Sequence, residues 1–176
     1  MGEKSMIYKC TAMTLVLALI VLALPGCVGY RLGSTLPPDV KSIYVHLFIN
    51  RCNEPLLEID TTNATIAEFQ KDGTLRIVPK GEADVLLETT LNAMTLTPLR
   101  YNQTTDKARP NEYRLTLEVS FVLKRAKTRE IMTEASVIGE STFVFIGNLN
   151  SSKRAAIPAA SEDLAKRIIE KVVEIW

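Results

Sequence analysis

Residues 113–124 read Tyr-Arg-Leu-Thr-Leu-Glu-Val-Ser-Phe-Val-Leu-Lys. Tyr113, Leu115, Leu117, Val119, Phe121 and Leu123 alternate with Arg114, Thr116, Glu118, Ser120, Val122 and Lys124. Successive side chains of a strand point to opposite faces. The stretch therefore predicts a strand with one face in a core and the other in water. Downstream, Ala126 to Arg129 predicts a basic turn, and Glu130 to Ile146 a returning partner strand with Gly139 as its candidate bulge.

Upstream, Ala83 to Leu96 predicts a longer extended run, with Val85, Leu87, Leu91 and Ala93 on one side and Pro98 as its end. Arg100 to Asn111 is polar, contains Pro110, and is expected to be a mobile hairpin loop. Leu75 to Val78 predicts a short strand before a Pro79-Lys80-Gly81 turn. From Ser42 a strand should place Ile43, Val45, Leu47 and Ile49 on one face and Tyr44, His46 and Phe48 on the other. A helix is expected from Pro55 to about Lys71, capped by Asn53, packed through Leu56, Ile59, Ile66 and Phe69, and stopped by Gly73. Thr61, Thr62 and Thr65 are weak helix formers, so that helix depends on packing. A second helix should begin near Pro158 and Ser161, with Glu162 and Asp163 in its first turn and Leu164, Ile168, Val172 and Ile175 on one stripe. The expected fold class is α+β, a two-layer sandwich. Two helices pack on one face of a mostly antiparallel sheet of about four strands, in the order β-α-β-β-β-α, and the polar sheet face is left exposed.

The N-terminus has a different character. Lys4 and Lys9 stand against Glu3, the apolar run Met13 to Leu24 follows, and Leu24-Pro25-Gly26-Cys27 closes it. A run of about a dozen residues suits the ~7–15 of a secretion signal and falls short of the ~20 of a spanning helix. The closing tetrapeptide resembles a lipobox, in which a diacylglyceryl group is attached to the Cys and cleavage precedes it. The resemblance implies that Cys27 is the lipidated, acylated mature N-terminus, and Val28 after it, rather than Asp, implies the outer membrane. A simple signal with a chance Cys, or a membrane-anchoring helix, are the alternatives. The organisation expected is a signal peptide over residues 1–26, a lipidated tether over 27–40 rich in Gly and Pro, and one α+β domain over 41–176.

About 150 residues remain after cleavage, enough for one domain with a real core. The chain has 21 Lys and Arg and 20 Asp and Glu, and loss of the signal leaves 19 of each. A neutral domain argues against nucleic acid as a partner. Cys10 leaves with the signal and Cys27 goes to lipid, so Cys52 is a single thiol, expected to be buried. His46 is the only histidine, and with Cys52 it lacks a third group to complete a nucleophile–base pair. One histidine cannot nucleate the usual zinc set, and no phosphate-cradling glycine loop follows a strand, so neither an enzyme nor a cofactor is expected. Glu54, Glu58 and Asp60 read as helix-dipole and surface charges. Lys124, Arg125, Lys127 and Arg129 put four cations at one turn. They are either a solvated turn or an anion-binding site.

Several segments in series resemble the LptE family of lipopolysaccharide-assembly lipoproteins. They are Cys27-Val28-Gly29-Tyr30-Arg31-Leu32, Leu36-Pro37, Ser42-Ile43-Tyr44-Val45, Phe48-Ile49-Asn50-Arg51, Asn53-Glu54-Pro55-Leu56-Leu57-Glu58, Thr62-Asn63-Ala64 and Glu68-Phe69. Asp72-Gly73-Thr74-Leu75, Ala83-Asp84-Val85-Leu86-Leu87-Glu88 and Arg167-Ile168-Ile169-Glu170 through Trp176 continue the series. Val28 before the Gly-Tyr pair, His46 and Cys52 depart from the family pattern. The resemblance implies a lipid-anchored protein of the outer membrane, its domain periplasmic or inside the lumen of an LptD-type β-barrel. Such a protein plugs the barrel, assists its assembly and takes part in delivering lipopolysaccharide to the outer leaflet. The family is said to bind lipopolysaccharide through basic residues, for which Lys124, Arg125, Lys127 and Arg129 are the candidates here. The competing expectation is a lipoprotein that binds a small apolar ligand or cell-wall polymer without a barrel partner.

Overall fold

A computed structural model describes residues 36–102 and 109–174 of the chain, all within the compact unit Ser34–Trp176. The expected signal and Cys27, most of the expected tether, residues 103–108, and Ile175 and Trp176 lie outside the described residues. The elements are β1 (Ser42–Val45), β2 (Ile49–Asn50), α1 (Leu57–Asp72), β3 (Arg76–Ile77), β4 (Val85–Asn102), β5 (Arg109–Arg125), β6 (Ile131–Val144) and α2 (Leu149–Val173). The class is α+β, but the sheet has six strands, not four. It runs β3-β1-β4-β5-β6, with β2 also on β4. β1 is parallel to β3 and β4, and β2 is parallel to β4; the β4-β5-β6 meander alone is antiparallel. The parallel part arises because α1 carries the chain from β1 to a strand pairing beside it, which demands a crossover helix.

The 113–124 strand is as its alternation dictates. Leu115, Leu117, Val119, Phe121 and Leu123 are at most 1% exposed. They form the centre of a core shared with Leu87 and Leu91 of β4, Leu57 and Phe69 of α1, and Leu164 and Ile168 of α2. Two extra residues break the alternation elsewhere. Val45 lies opposite Leu87 and Ile49 opposite Thr90, so the β1–β2 line spends one residue more than β4. That slip reverses the side chains beyond it: Phe48 enters the core at 2% exposure, while Leu47 and Ile49 are 60% and 58% exposed, against the expectation. The released Phe48 N–H donates to Thr62 Oγ1 at 3.1 Å. In β4, Asn92 is the extra residue, since Leu91 faces Val119 and Ala93 faces Glu118. Met94 and Leu96 therefore pack against the core in place of Ala93.

Pro98 does not end β4. It pairs with Tyr113, and the ladder continues to Asn102 opposite Arg109, so residues 100–102 and 109–111 of the expected loop are strand with irregular register. Gly139 is not a bulge: it sits in register opposite Leu117, and the irregularity of this hairpin falls at Leu123/Lys124.

Both helices differ from the expected ones at their starts. α1 begins at Leu57 after Leu56, which has φ 67° and offers no side-chain cap, so Asn53 is not the cap. Asn50 holds the approach instead, donating through Nδ2 to the Glu54 carbonyl at 2.8 Å and to Glu58 Oε2 at 2.7 Å. The buried stripe is Leu57, Thr61, Thr65 and Phe69, with Thr62 beside it, while Leu56 and Ile59 are exposed. Threonine can be buried because each hydroxyl donates to the carbonyl one turn back: Thr61 to Leu57 at 2.7 Å, Thr62 to Glu58 at 2.6 Å, Thr65 to Thr61 at 2.8 Å. Gly73 does terminate α1, at φ 74°, with its N–H on the Phe69 carbonyl.

α2 starts nine residues before Pro158, at Leu149. Its cap is Asn148, whose Oδ1 accepts the Asn150 and Ser151 N–H groups at 2.8 and 3.4 Å. Glu162 and Asp163 thus lie in mid-helix. Pro158 sits inside the helix, where it supplies no N–H to the Arg154 carbonyl.

Candidate interaction surface

β4, β5 and β6 turn one face to the helices and the other away from them. On the outer face the rows read Thr90–Ser120–Ser136, Thr95–Thr116–Glu140 and Thr97–Arg114–Thr142. Asn92 Nδ2 donates to Ser120 Oγ at 3.1 Å, and Arg114 lies 3.7 Å from Glu140. This surface is hydroxyl-rich and its charges are mixed, with Ile138, 47% exposed, as its one large exposed apolar side chain on β6 between Glu134 and Thr142. It follows from the same alternation that builds the core: every second residue of each long strand has nothing from the helices to meet.

The basic turn closes β5 onto β6. Arg125 N–H donates to the Glu130 carbonyl at 2.9 Å and Arg129 N–H to the Arg125 carbonyl at 3.0 Å, with Arg129 at φ 61°. Ala126 N–H donates to the Asp84 carbonyl at 2.8 Å, tying the turn to the start of β4. Lys124, Arg125, Lys127 and Arg129 are brought to one end of the sheet but fall into two kinds. Lys124 Nζ lies 2.6 Å from Glu88 Oε2, and Arg125 pairs with Asp39. The Lys124 hydrogen bond holds the Glu88 carboxyl below its ordinary range, and Arg125 does the same for Asp39. Lys127 and Arg129 are exposed and have no ion-pair partner among the described residues. Sequence reasoning missed the neutralising carboxylates. Glu88 was within reach of it, since it stands out of phase with Val85 and Leu87.

His46 and Cys52 follow β1 and β2. Burial, and then the Lys80 cation, push the His46 pKa down, and its ring meets Tyr44 edge-on at 4.9 Å. Cys52 is half-buried, its Sγ 3.8 Å from the Leu91 carbonyl, and burial pushes its pKa up, away from the thiolate a nucleophile needs. Glu54 is not a surface charge. It is 7% exposed and its Oε2 lies 2.5 Å from Lys153 Nζ, joining the approach to α1 with the start of α2.

Residues 40–173 match the family model described as LptE, lipopolysaccharide-assembly. Among solved structures, a hypothetical protein from Chlamydia trachomatis superposes with a TM-score of 0.54 at 7% identity, over 76% of this chain and 95% of that one. A protein from Xanthomonas campestris gives 0.54 at 8% identity, over 79% and 87%. At such identities the likeness is one of fold. No curated protein sequence matches the chain.

Proposed function

Because the chain belongs to the LptE lipopolysaccharide-assembly family, we propose that it is an outer-membrane lipoprotein, anchored by acyl chains on Cys27, that plugs an LptD-type β-barrel and assists its assembly. The observation that carries this reading is the outer sheet face. A wide barrel has a polar interior, so a plug must offer it hydrophilic surface, as the solvated face of a two-layer sheet does. The rows from Thr90 to Thr142 offer hydroxyls and paired charges across three long strands. The helix-covered face supplies the core that keeps the plug folded when it is alone.

The role is one of assembly and contact rather than catalysis. At the basic turn, Lys127 and Arg129 are the cations free to meet the phosphates of lipopolysaccharide, while Lys124 and Arg125 are already engaged with Glu88 and Asp39. Several acyl chains at ~0.8 kcal/mol per buried methylene hold the domain at the membrane for the lifetime of the complex.

Deletion of the gene, or Cys27→Ala, tests the proposal by the level of folded large barrel in the outer membrane. The level should fall. Wild-type barrel levels in both strains would remove the assembly role.

A further inference from the structure

α1 and α2 lie side by side on the sheet, and a groove of about 350 Å³ opens between them on the side away from it. Ala64 and Ala67 on one wall and Pro158 on the other are too small to fill it. Its rim is acidic: Asp60 and Glu68 on α1 and Glu162 on α2 face a single cation, Lys71, which is 3.4 Å from Glu68. Asp60 and Glu162 are left without an ion-pair partner among the described residues. Ser161 also lines the groove, is 1% exposed, and its Oγ has no hydrogen-bond partner.

A buried hydroxyl without a partner is costly, and here it borders a groove whose charge is uncompensated. We infer that the α1–α2 groove receives an arginine side chain presented by a partner protein. Charge complementarity selects a cation. The planar guanidinium, with five donors, suits two carboxylates on opposite walls together with a hydroxyl acceptor beside one of them better than a point-like ammonium does. A metal ion is the poorer occupant, since among the described residues no three His, Cys, Asp or Glu side chains are grouped to hold one. That the partner is the barrel rests on the function proposed above; the chemistry of the groove does not.

The test uses the full-length lipidated chain in non-ionic detergent, titrated with N-acetyl-arginine amide and followed by the NMR signals of the Asn63 side-chain amide and the Ser161 backbone. A saturable shift is expected, absent with the neutral isostere N-acetyl-citrulline amide. The Asp60→Asn, Glu162→Gln double variant should bind about tenfold more weakly, the loss expected for removing charge-assisted contacts. Ser161→Ala should also bind more weakly without a lower unfolding midpoint. No saturable shift, an equal response to citrulline, or unchanged affinity in either variant overturns the inference. A photo-crosslinker at Ala67 in intact outer membranes then identifies the partner. An arginine-containing barrel peptide supports the barrel assignment; a peptide from another protein overturns that assignment and leaves the groove to be judged by the titration.

Discussion

Gly139 of β6 and Leu164 of α2 approach so closely that a Cβ on Gly139 would lie 2.5 Å from the Leu164 Cβ and 2.7 Å from the Ala160 carbonyl oxygen. The obstacle is helix backbone and the root of a side chain, neither of which can swing aside. Gly139→Ala must therefore lift α2 from the sheet, at an overpacking cost of about 1–3 kcal/mol. Gly81→Ala, with nothing within 4 Å of the new Cβ, is the control and should be close to neutral. Denaturant unfolding of both variants checks this; equal midpoints would mean that the helix seat is softer than described.

Glu54 and Lys153 should behave as a coupled buried pair. Lys153→Met leaves a carboxylate that is 7% exposed without its cation, and is expected to cost about 3 kcal/mol. Adding Glu54→Gln should restore much of that loss. A double-mutant cycle in urea reads the coupling, expected at about 1–3 kcal/mol; additive single effects would contradict the pairing.

Acid should loosen the junction where β1 meets β4. Asp84 Oδ2 accepts the Ser42 hydroxyl at 2.7 Å and the N–H groups of Lys41 and Ser42 at 3.1 and 3.0 Å. These bonds, the Ser42 hydroxyl foremost, lower the folded pKa below the ordinary 3.8. A depressed folded pKa contributes stability that is complete above the unfolded value and is lost as pH falls through the folded one. Thermal midpoints measured from about pH 5 down to pH 2 should therefore fall less steeply for Asp84→Asn than for the wild type. Parallel curves would count against the role given to Asp84.

The basic turn should divide by partner rather than by charge count. Lys127→Glu with Arg129→Glu should weaken binding to lipopolysaccharide micelles while changing stability by no more than about 0.5 kcal/mol. Lys124→Glu with Arg125→Glu places like charges against Glu88 and Asp39 and should lower the unfolding midpoint as well. Surface plasmon resonance and thermal unfolding separate the two effects. Unchanged binding in the Lys127, Arg129 variant returns the cluster to a solvated turn.

The core was legible where one rule governed a long stretch. Tyr113 to Lys124 alternates without interruption, and its burial follows. Legibility failed wherever a single residue changed the phase. The slip between Val45 and Ile49 turns Leu47 outward and Phe48 inward, and Asn92 does the same to Ala93 and Met94. At the first slip both phases are apolar, so periodicity carries no mark of it; at the second, Met94 and Leu96 alternating with Thr95 and Thr97 do mark the new phase. The buried face of α1 was hidden by residue type: Thr61, Thr62 and Thr65 read as polar until their hydroxyls are seen bonded to their own helix. The start of α2 was obscured by Pro158, which signals a first turn but sits in mid-helix, while Asn148 carried the true capping signal. Of the candidate surface, the β5 half and the basic turn could be read directly. The Glu88 and Asp39 partners, and the groove around Ser161, depend on contacts across more than thirty residues of chain or between two helices.

The most direct measurement is a mild-detergent pull-down of the lipidated protein from outer membranes, with mass spectrometry of what accompanies it. A large β-barrel in stoichiometric amount is the predicted result and makes the barrel the partner. The lipidated protein recovered alone would contradict the barrel-plug account and favour a lipoprotein that binds its ligand unaided.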